Sequence, residues 1–75
     1  TPDRIIESQE LQQVIVNAMN ALPEELRRAI TLREVEGMSY DDISLVEKVP
    51  VGTVRSRIFR ARQFIEEKMN KFAVK

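Results

Sequence analysis

Apolar residues along this chain recur every three or four positions and never in sustained alternation, so the pattern is helical throughout. Leu11, Val14, Ile15, Ala18 and Leu22 form one stripe and predict a first helix over about residues 3–21. Pro23 stands where a first helical turn tolerates it, and Glu24 and Glu25 suit the positive end of a helix dipole. A second helix is predicted over about 24–36, with Leu26, Ala29, Ile30 and Val35 on its inner side and Gly37 free to take the left-handed conformation that stops it. Ser39, with Asp42 three residues later, reads as the cap of a short third helix over about 40–47, with Ile43 and Val46 facing inward. That helix cannot run through Pro50, because the residue before a proline is pushed out of the helical region. A fourth and longest helix is predicted over about 51–72. The expected fold is therefore all-α: a compact bundle of four helices, one domain over residues 1–75, ending in a short helix, a tight turn and a long helix.

The fourth helix has two distinct sides. Val51, Val54, Ile58, Ala61, Ile65, Met69 and Phe72 make a continuous apolar stripe that must be its buried face. At about 100° per residue, the opposite side carries Ser56, Phe59, Arg60 and Gln63. Arg55 and Arg62 flank the stripe on one side and Arg57 on the other. Phe59, a large ring on the outer face, either covers a neighbouring part of the fold or touches a partner such as a base edge or a thymine methyl group. Arg55, Ser56 and Arg60 are side chains that read bases or hold phosphates, and they lie near the start of the helix, the part that enters a major groove deepest. The same helix start offers free backbone N–H groups to a phosphate, with Gly52 allowing close approach and Thr53 adding a hydroxyl. The plainer reading of Gly52 is that it relieves crowding at the turn. Arg57 and Arg62 border the buried stripe and are expected to pair with Glu34, Glu36 or other acids, in a packing role. Lys68, Lys71 and Lys75 read as a solvated tail.

Charge sharpens this picture. The chain has 12 basic and 12 acidic residues and no net charge, but residues 1–50 carry five Lys/Arg against ten Asp/Glu and residues 51–75 seven against two. The two parts are thus −5 and +5, a dipolar molecule whose C-terminal part suits a polyanion. Mutual neutralisation within the fold explains the same numbers equally well. With no cysteine and no histidine, disulfides, His/Cys metal sites and the usual general base are excluded, and no cofactor is expected. Nor is the chain expected to be an enzyme: its hydroxyls have no histidine to activate them and its acids are scattered over exposed helix faces. No apolar run reaches the length of a membrane span and no signal peptide is visible. The start at Thr1-Pro2 reads as a fragment or a processed product. The residues alone leave open a helix-turn-helix that binds DNA, such as the output domain of a transcription regulator that would usually dimerise on paired half-sites, and a helical interaction module whose arginines meet an acidic protein.

Two blocks narrow the choice. The run "LPEELRRAITLREVEGMSYDDI" followed by "VPVGTVRSRIFRAR" closely resembles the C-terminal DNA-binding domain, region 4, of bacterial extracytoplasmic-function RNA polymerase sigma factors, with the sigma-E-like branch nearest. The resemblance extends over roughly residues 10–72, and the two blocks at this separation are far more specific than a helix-turn-helix outline. It implies recognition of the −35 element of promoter DNA by the helix that follows "PVGT". Carried over by position, it implies Arg55, Ser56, Phe59 and Arg60 at the bases or in the groove, and Arg33, Tyr40, Gly52 and Thr53 at the phosphate backbone. It also implies an apolar groove for the flap of the polymerase β subunit, occupied instead by an anti-sigma factor when the sigma is held inactive; Leu22, Leu26, Ile30 and Val35 are the candidates. The implied state is a monomer in the bacterial cytoplasm. Three positions depart from the family pattern: Glu47 where relatives usually carry Met or Leu, Lys48 at a turn position where many helix-turn-helix units have glycine, and Ser44 in place of a small alanine. They are expected to thin the apolar contact at the end of the third helix and to strain the turn.

Overall fold

The computed structural model describes residues 2–73, and side chains from residue 8 onward. The described residues form four helices: α1 (Pro2–Ala21), α2 (Glu24–Glu34), α3 (Tyr40–Glu47) and α4 (Val51–Ala73). The long α4 packs against each of the other three and organises the fold. Lys75, grouped with the basic tail, lies outside the described residues.

Local chemistry sets each boundary. The carbonyl of Pro23 accepts from the N–H groups of Leu26 and Arg27, both at 3.0 Å, so α2 begins where the proline permits it. It ends two residues short of the expected 36. The N–H groups of Val35 and Glu36 both turn back onto the Thr31 carbonyl (2.9 and 3.1 Å), and Gly37 takes φ +70°. Ser39 caps α3 by accepting from the Asp42 N–H at 3.1 Å. The carbonyl of Pro50 starts α4 by accepting from Thr53 and Val54 at 3.0 and 3.2 Å.

Leu22, Ala29, Ile30, Ile43, Val54, Ile58 and Ala61 form the core, with Met19, Leu26, Leu32, Met38, Tyr40, Val49, Phe64 and Ile65 packed around it. Ile43, Val54 and Ile58 are fully enclosed, each contributing about 1.5–3 kcal/mol relative to exposure. The α4 stripe is buried at Val54, Ile58 and Ala61 and half-buried at Val51, Ile65, Met69 and Phe72, as its spacing requires.

Two expected core residues are not in the core. Val35 is 70% exposed, because it follows the last residue of α2 and no longer shares that helix's register. Val46 is 56% exposed. At about 100° per residue Val46 lies 60° from Ile43 around α3, whereas Glu47 lies only 40° away on the other side. Glu47 takes the inward place, its side chain 12% exposed, and reaches Arg28 of α2 at 2.9 Å. The hydrogen bond that Arg28 donates to Glu47, then the Glu47 charge, hold the Arg28 guanidinium above its ordinary pKa against some loss of solvation.

The other departures also have local explanations. Lys48 adopts the left-handed conformation itself (φ 58°, ψ 45°), and its N–H closes α3 onto the Ser44 carbonyl. The Ser44 hydroxyl donates to the Val49 carbonyl at 2.5 Å, so the serine clasps the turn that an alanine would leave loose. The Arg28–Glu47 pair replaces apolar contact with an ion pair whose carboxylate is mostly withdrawn from water. Such pairs are often less stabilising than apolar residues of similar volume. Glu47→Met is accordingly expected to raise the melting temperature; a fall in thermal unfolding would show that the pair outweighs the burial it displaces.

Candidate nucleic-acid interface

Position on α4 decides what each arginine does. Arg57 is drawn into the fold, its side chain 18% exposed, and approaches Glu25 at 3.7 Å. Arg62 donates from Nε to Glu34 Oε1 at 3.2 Å and also from Nη2 to the same oxygen. The Glu34 hydrogen bond is the main reason the Arg62 pKa is raised; loss of solvation opposes it, and the Glu34 charge and the Tyr40 hydroxyl reinforce it. Both arginines thus bind the acidic part of the chain, Arg62 through one of the acids expected and Arg57 through another. These contacts are exposed on at least one side, so each is worth only ~0–1 kcal/mol, and their main effect is to orient α4 against α2.

Arg55 and Arg60 have no such partner. Among the described residues neither forms an ion pair, and both are exposed. Ser56 and Phe59 are exposed beside them, Phe59 at 66%. Positions 55, 56, 59 and 60 recur at helical spacing, so all four side chains emerge along one side of the N-terminal half of α4. The dipolar charge therefore resolves into two parts: some cations neutralise the acidic part internally, and others remain available on one face.

The four backbone-contact candidates lie around the start of that face. Gly52 is exposed in the first turn of α4 and Thr53 is half-buried beside it. A Cβ built on Gly52 would meet nothing within 4 Å, so relief of internal crowding does not account for the glycine. The space above the first turn is open to an approaching group. Tyr40 and Arg33 are both half-buried. The Arg33 guanidinium lies 4.8 Å from the Tyr40 ring centroid and donates through Nη1 to the Met38 carbonyl at 2.8 Å. The Arg55 guanidinium lies over the same ring at 5.9 Å. Sequence reading placed Tyr40, Arg33 and Arg55 separately; their meeting over one ring had no signal in spacing, because they come from three helices. At the far end of α4, Lys68 lies over the Phe64 ring at 5.2 Å, so this tail cation is partly tied to the fold.

A second surface feature is apolar. Ile15, Val16 and Met19 of α1, Ile30 and Val35 at α2, and Ile65 of α4 line an open recess edged by Glu34 and Arg62. Of the four residues expected in a groove, Ile30 and Val35 line it. Leu22 does not: it follows the end of α1, where the chain turns, and its side chain is carried into the central core at 4% exposure. Leu26 is half-buried against that core and does not line the recess either.

No described helix is long and apolar enough to cross a membrane, and no group of three or more acidic side chains among the described residues is arranged to hold a metal ion.

Known proteins resemble this chain over most of its length. Residues 12–65 match the family model for sigma-70, region 4. The chain is 54% identical over 69 residues to an ECF RNA polymerase sigma-E factor of Haemophilus influenzae, a match covering 92% of this chain and 36% of that protein. It is 52% identical over 68 residues to the sigma-E factors of Salmonella typhimurium and Escherichia coli K12, covering 91% of this chain and 36% of each. The chain thus spans about a third of the length of these curated relatives. The match takes in α2, α3, the turn and the exposed face of α4, and the chain belongs to the sigma-70 region 4 family.

Proposed function

We propose that this chain is the −35-reading module of a sigma factor, which lays the N-terminal half of α4 in the major groove of promoter DNA and so directs RNA polymerase to its start sites. The observation that carries this reading is the division of the α4 arginines. Arg57 and Arg62 are bound to acids of the same chain, while Arg55 and Arg60 stay exposed beside Ser56 and Phe59. An interaction module that merely needed positive charge would have no use for this sorted face, with two guanidinium groups, a hydroxyl and a ring within two helical turns. Arg55, Ser56, Phe59 and Arg60 read base edges and fill the groove. Arg33, Gly52 and Thr53 hold the phosphate backbone, the glycine by giving a phosphate room at the start of α4, and Tyr40 belongs to the same surface through its ring.

The protein acts as a monomer on DNA, since one helix reads one element. It works in the bacterial cytoplasm within RNA polymerase. The apolar recess along α1, α2 and α4 is the seat for the flap of the polymerase β subunit, and an anti-sigma factor blocks the same surface. Its side chains for this role are Ile30 and Val35, joined by Ile15, Val16, Met19 and Ile65.

Titration of the chain with short duplexes bearing varied −35-like elements, at low and at moderate salt, tests the DNA reading. Binding is expected to be weak and to fall steeply with salt, because a handful of cationic contacts each release counterions and one helix adds little base reading. One duplex should stand clear of a scrambled control, and sedimentation should find a monomer. Affinity indifferent to both sequence and salt would sink the proposal.

A further inference from the structure

One aromatic ring joins three parts of the candidate DNA surface. Tyr40 is the first residue of α3, held there by the Ser39 cap. Arg33, at the end of α2, lies over its ring at 4.8 Å, and Arg55, in the second turn of α4, at 5.9 Å. Both distances fall within the range at which a ring face attracts a guanidinium group. Arg33 is fixed a second time through the Met38 carbonyl at 2.8 Å. The ring is itself half-buried and packs on the core, so it does not swing with the arginines. Arg62 is also a neighbour of Tyr40, but it is committed to Glu34. Arg33 and Arg55 are not: among the described residues neither forms an ion pair.

We propose that Tyr40 is a positioning residue for DNA binding: its ring is the platform that holds Arg33 of α2 and Arg55 of α4 as a ready-made pair of guanidinium groups beside the recognition helix. The proposal rests on the −35 reading above and assigns the work to the ring rather than to a hydroxyl–phosphate contact. Two physical effects favour it. Arginine loses more rotamer freedom on ordering than almost any other side chain, so an arginine already held in place binds more tightly for the same contact. Two guanidinium groups over one ring also repel each other, and the negative face of the ring offsets that repulsion until the DNA supplies the negative charge. The platform spans α2, α3 and α4, so it also sets where the phosphate backbone sits relative to the bases read by α4.

The test uses the duplex that binds tightest in the titration above, with its scrambled control, and compares wild type, Tyr40→Phe, Tyr40→Leu and a chain carrying pentafluorophenylalanine at position 40. Tyr40→Phe keeps the ring and is expected to bind within about twofold of wild type with the same salt slope, since it retains both ring contacts. Tyr40→Leu is expected to bind roughly five- to thirtyfold more weakly, the span of two exposed cation–ring contacts. Arg55→Ala should then cost less in the Tyr40→Leu background than in wild type. Pentafluorophenylalanine preserves the shape and core packing of phenylalanine but inverts the charge distribution of the ring, so it should bind like Tyr40→Leu while melting like Tyr40→Phe. This variant decides the matter even if Tyr40→Leu fails to fold. Equal weakening by Tyr40→Phe and Tyr40→Leu would move the role to the hydroxyl and overturn the proposal, as would a pentafluorophenylalanine chain that binds like Tyr40→Phe. If wild type shows no preference for any duplex, the −35 reading fails first and the platform fails with it.

Discussion

Ile58→Ala is expected to cost about 2–5 kcal/mol of stability, while Phe59→Ala, the next residue, changes it by no more than ~0.5 kcal/mol. Ile58 is 1% exposed at the centre of the core and Phe59 is 66% exposed on the opposite side of α4. Truncating Ile58 removes three carbons from a packed site and leaves a cavity among Ile43, Val54 and Ala61, which α3 and α4 can close only in part. A domain of this size has roughly 4–11 kcal/mol of stability at the usual 0.05–0.15 kcal/mol per residue, so the loss is a large fraction of the whole. In a small domain each kcal/mol lowers the melting temperature by about 4–8 °C, so the shift is easily read by circular dichroism. DNA binding should behave in the opposite way. At a temperature where both variants are folded, Ile58→Ala should bind a preferred −35 duplex about as well as wild type, because its side chain never reaches the surface. Phe59→Ala should bind that duplex more weakly, since most of the ring is exposed beside Ser56 and Arg60. Were Phe59→Ala to melt the domain as severely as Ile58→Ala, the ring would belong to the core and the assignment of faces would be wrong. A Phe59→Ala variant that changes neither stability nor binding would leave recognition to the arginines alone.

The same pair of residues shows why most of this fold was legible in the sequence. A 23-residue helix repeats its apolar spacing often enough that the buried side is over-determined, and Phe59 stands off it by register alone. The caps were legible for a different reason: Gly37 and Ser39 each satisfy one local requirement that few other residues meet. Short elements were harder. The eight residues of α3 barely complete two turns, so Val46 and Glu47 fit the inward position almost equally by angle, and residue type favoured the wrong one. Its ion pair with Arg28 lies 19 residues away in sequence and outside any local pattern. Val35 was misplaced because an apolar residue at a helix end keeps its hydrophobicity after the register has stopped. The face carrying Arg55, Ser56, Phe59 and Arg60 was legible because it belongs to one helix. The cluster of Arg33, Tyr40 and Arg55 was not, because only tertiary packing brings α2, α3 and α4 to one ring. Phe64, half-buried against the core, was passed over because Ile65 already filled the apolar stripe there.

Arg60→Ala is expected to weaken binding to the preferred duplex by about 1–3 kcal/mol and to relax preference at one base pair, the signature of a bidentate contact to a guanine edge. Arg60 is suited to this by what it lacks within its own chain. It is exposed, forms no ion pair among the described residues, and shares its side of α4 with Ser56 and Phe59. Among the described residues, no acid has to be abandoned when it meets a base. Arg33 and Arg62 serve as controls on the same molecule. Arg33→Ala should weaken every duplex alike and lower the salt slope by about one, as a phosphate contact does. Arg62→Ala should release Glu34 and loosen α4 from α2, so its effect should appear in thermal unfolding at least as much as in DNA binding. The measurement is a matrix of duplexes, each changed at one base pair, against the three variants at fixed salt. A base contact by Arg60 predicts that its variant binds all duplexes altered at one position equally while still discriminating at the others. A uniform loss across the matrix would reassign Arg60 to the phosphate backbone and leave base reading to Arg55, Ser56 and Phe59.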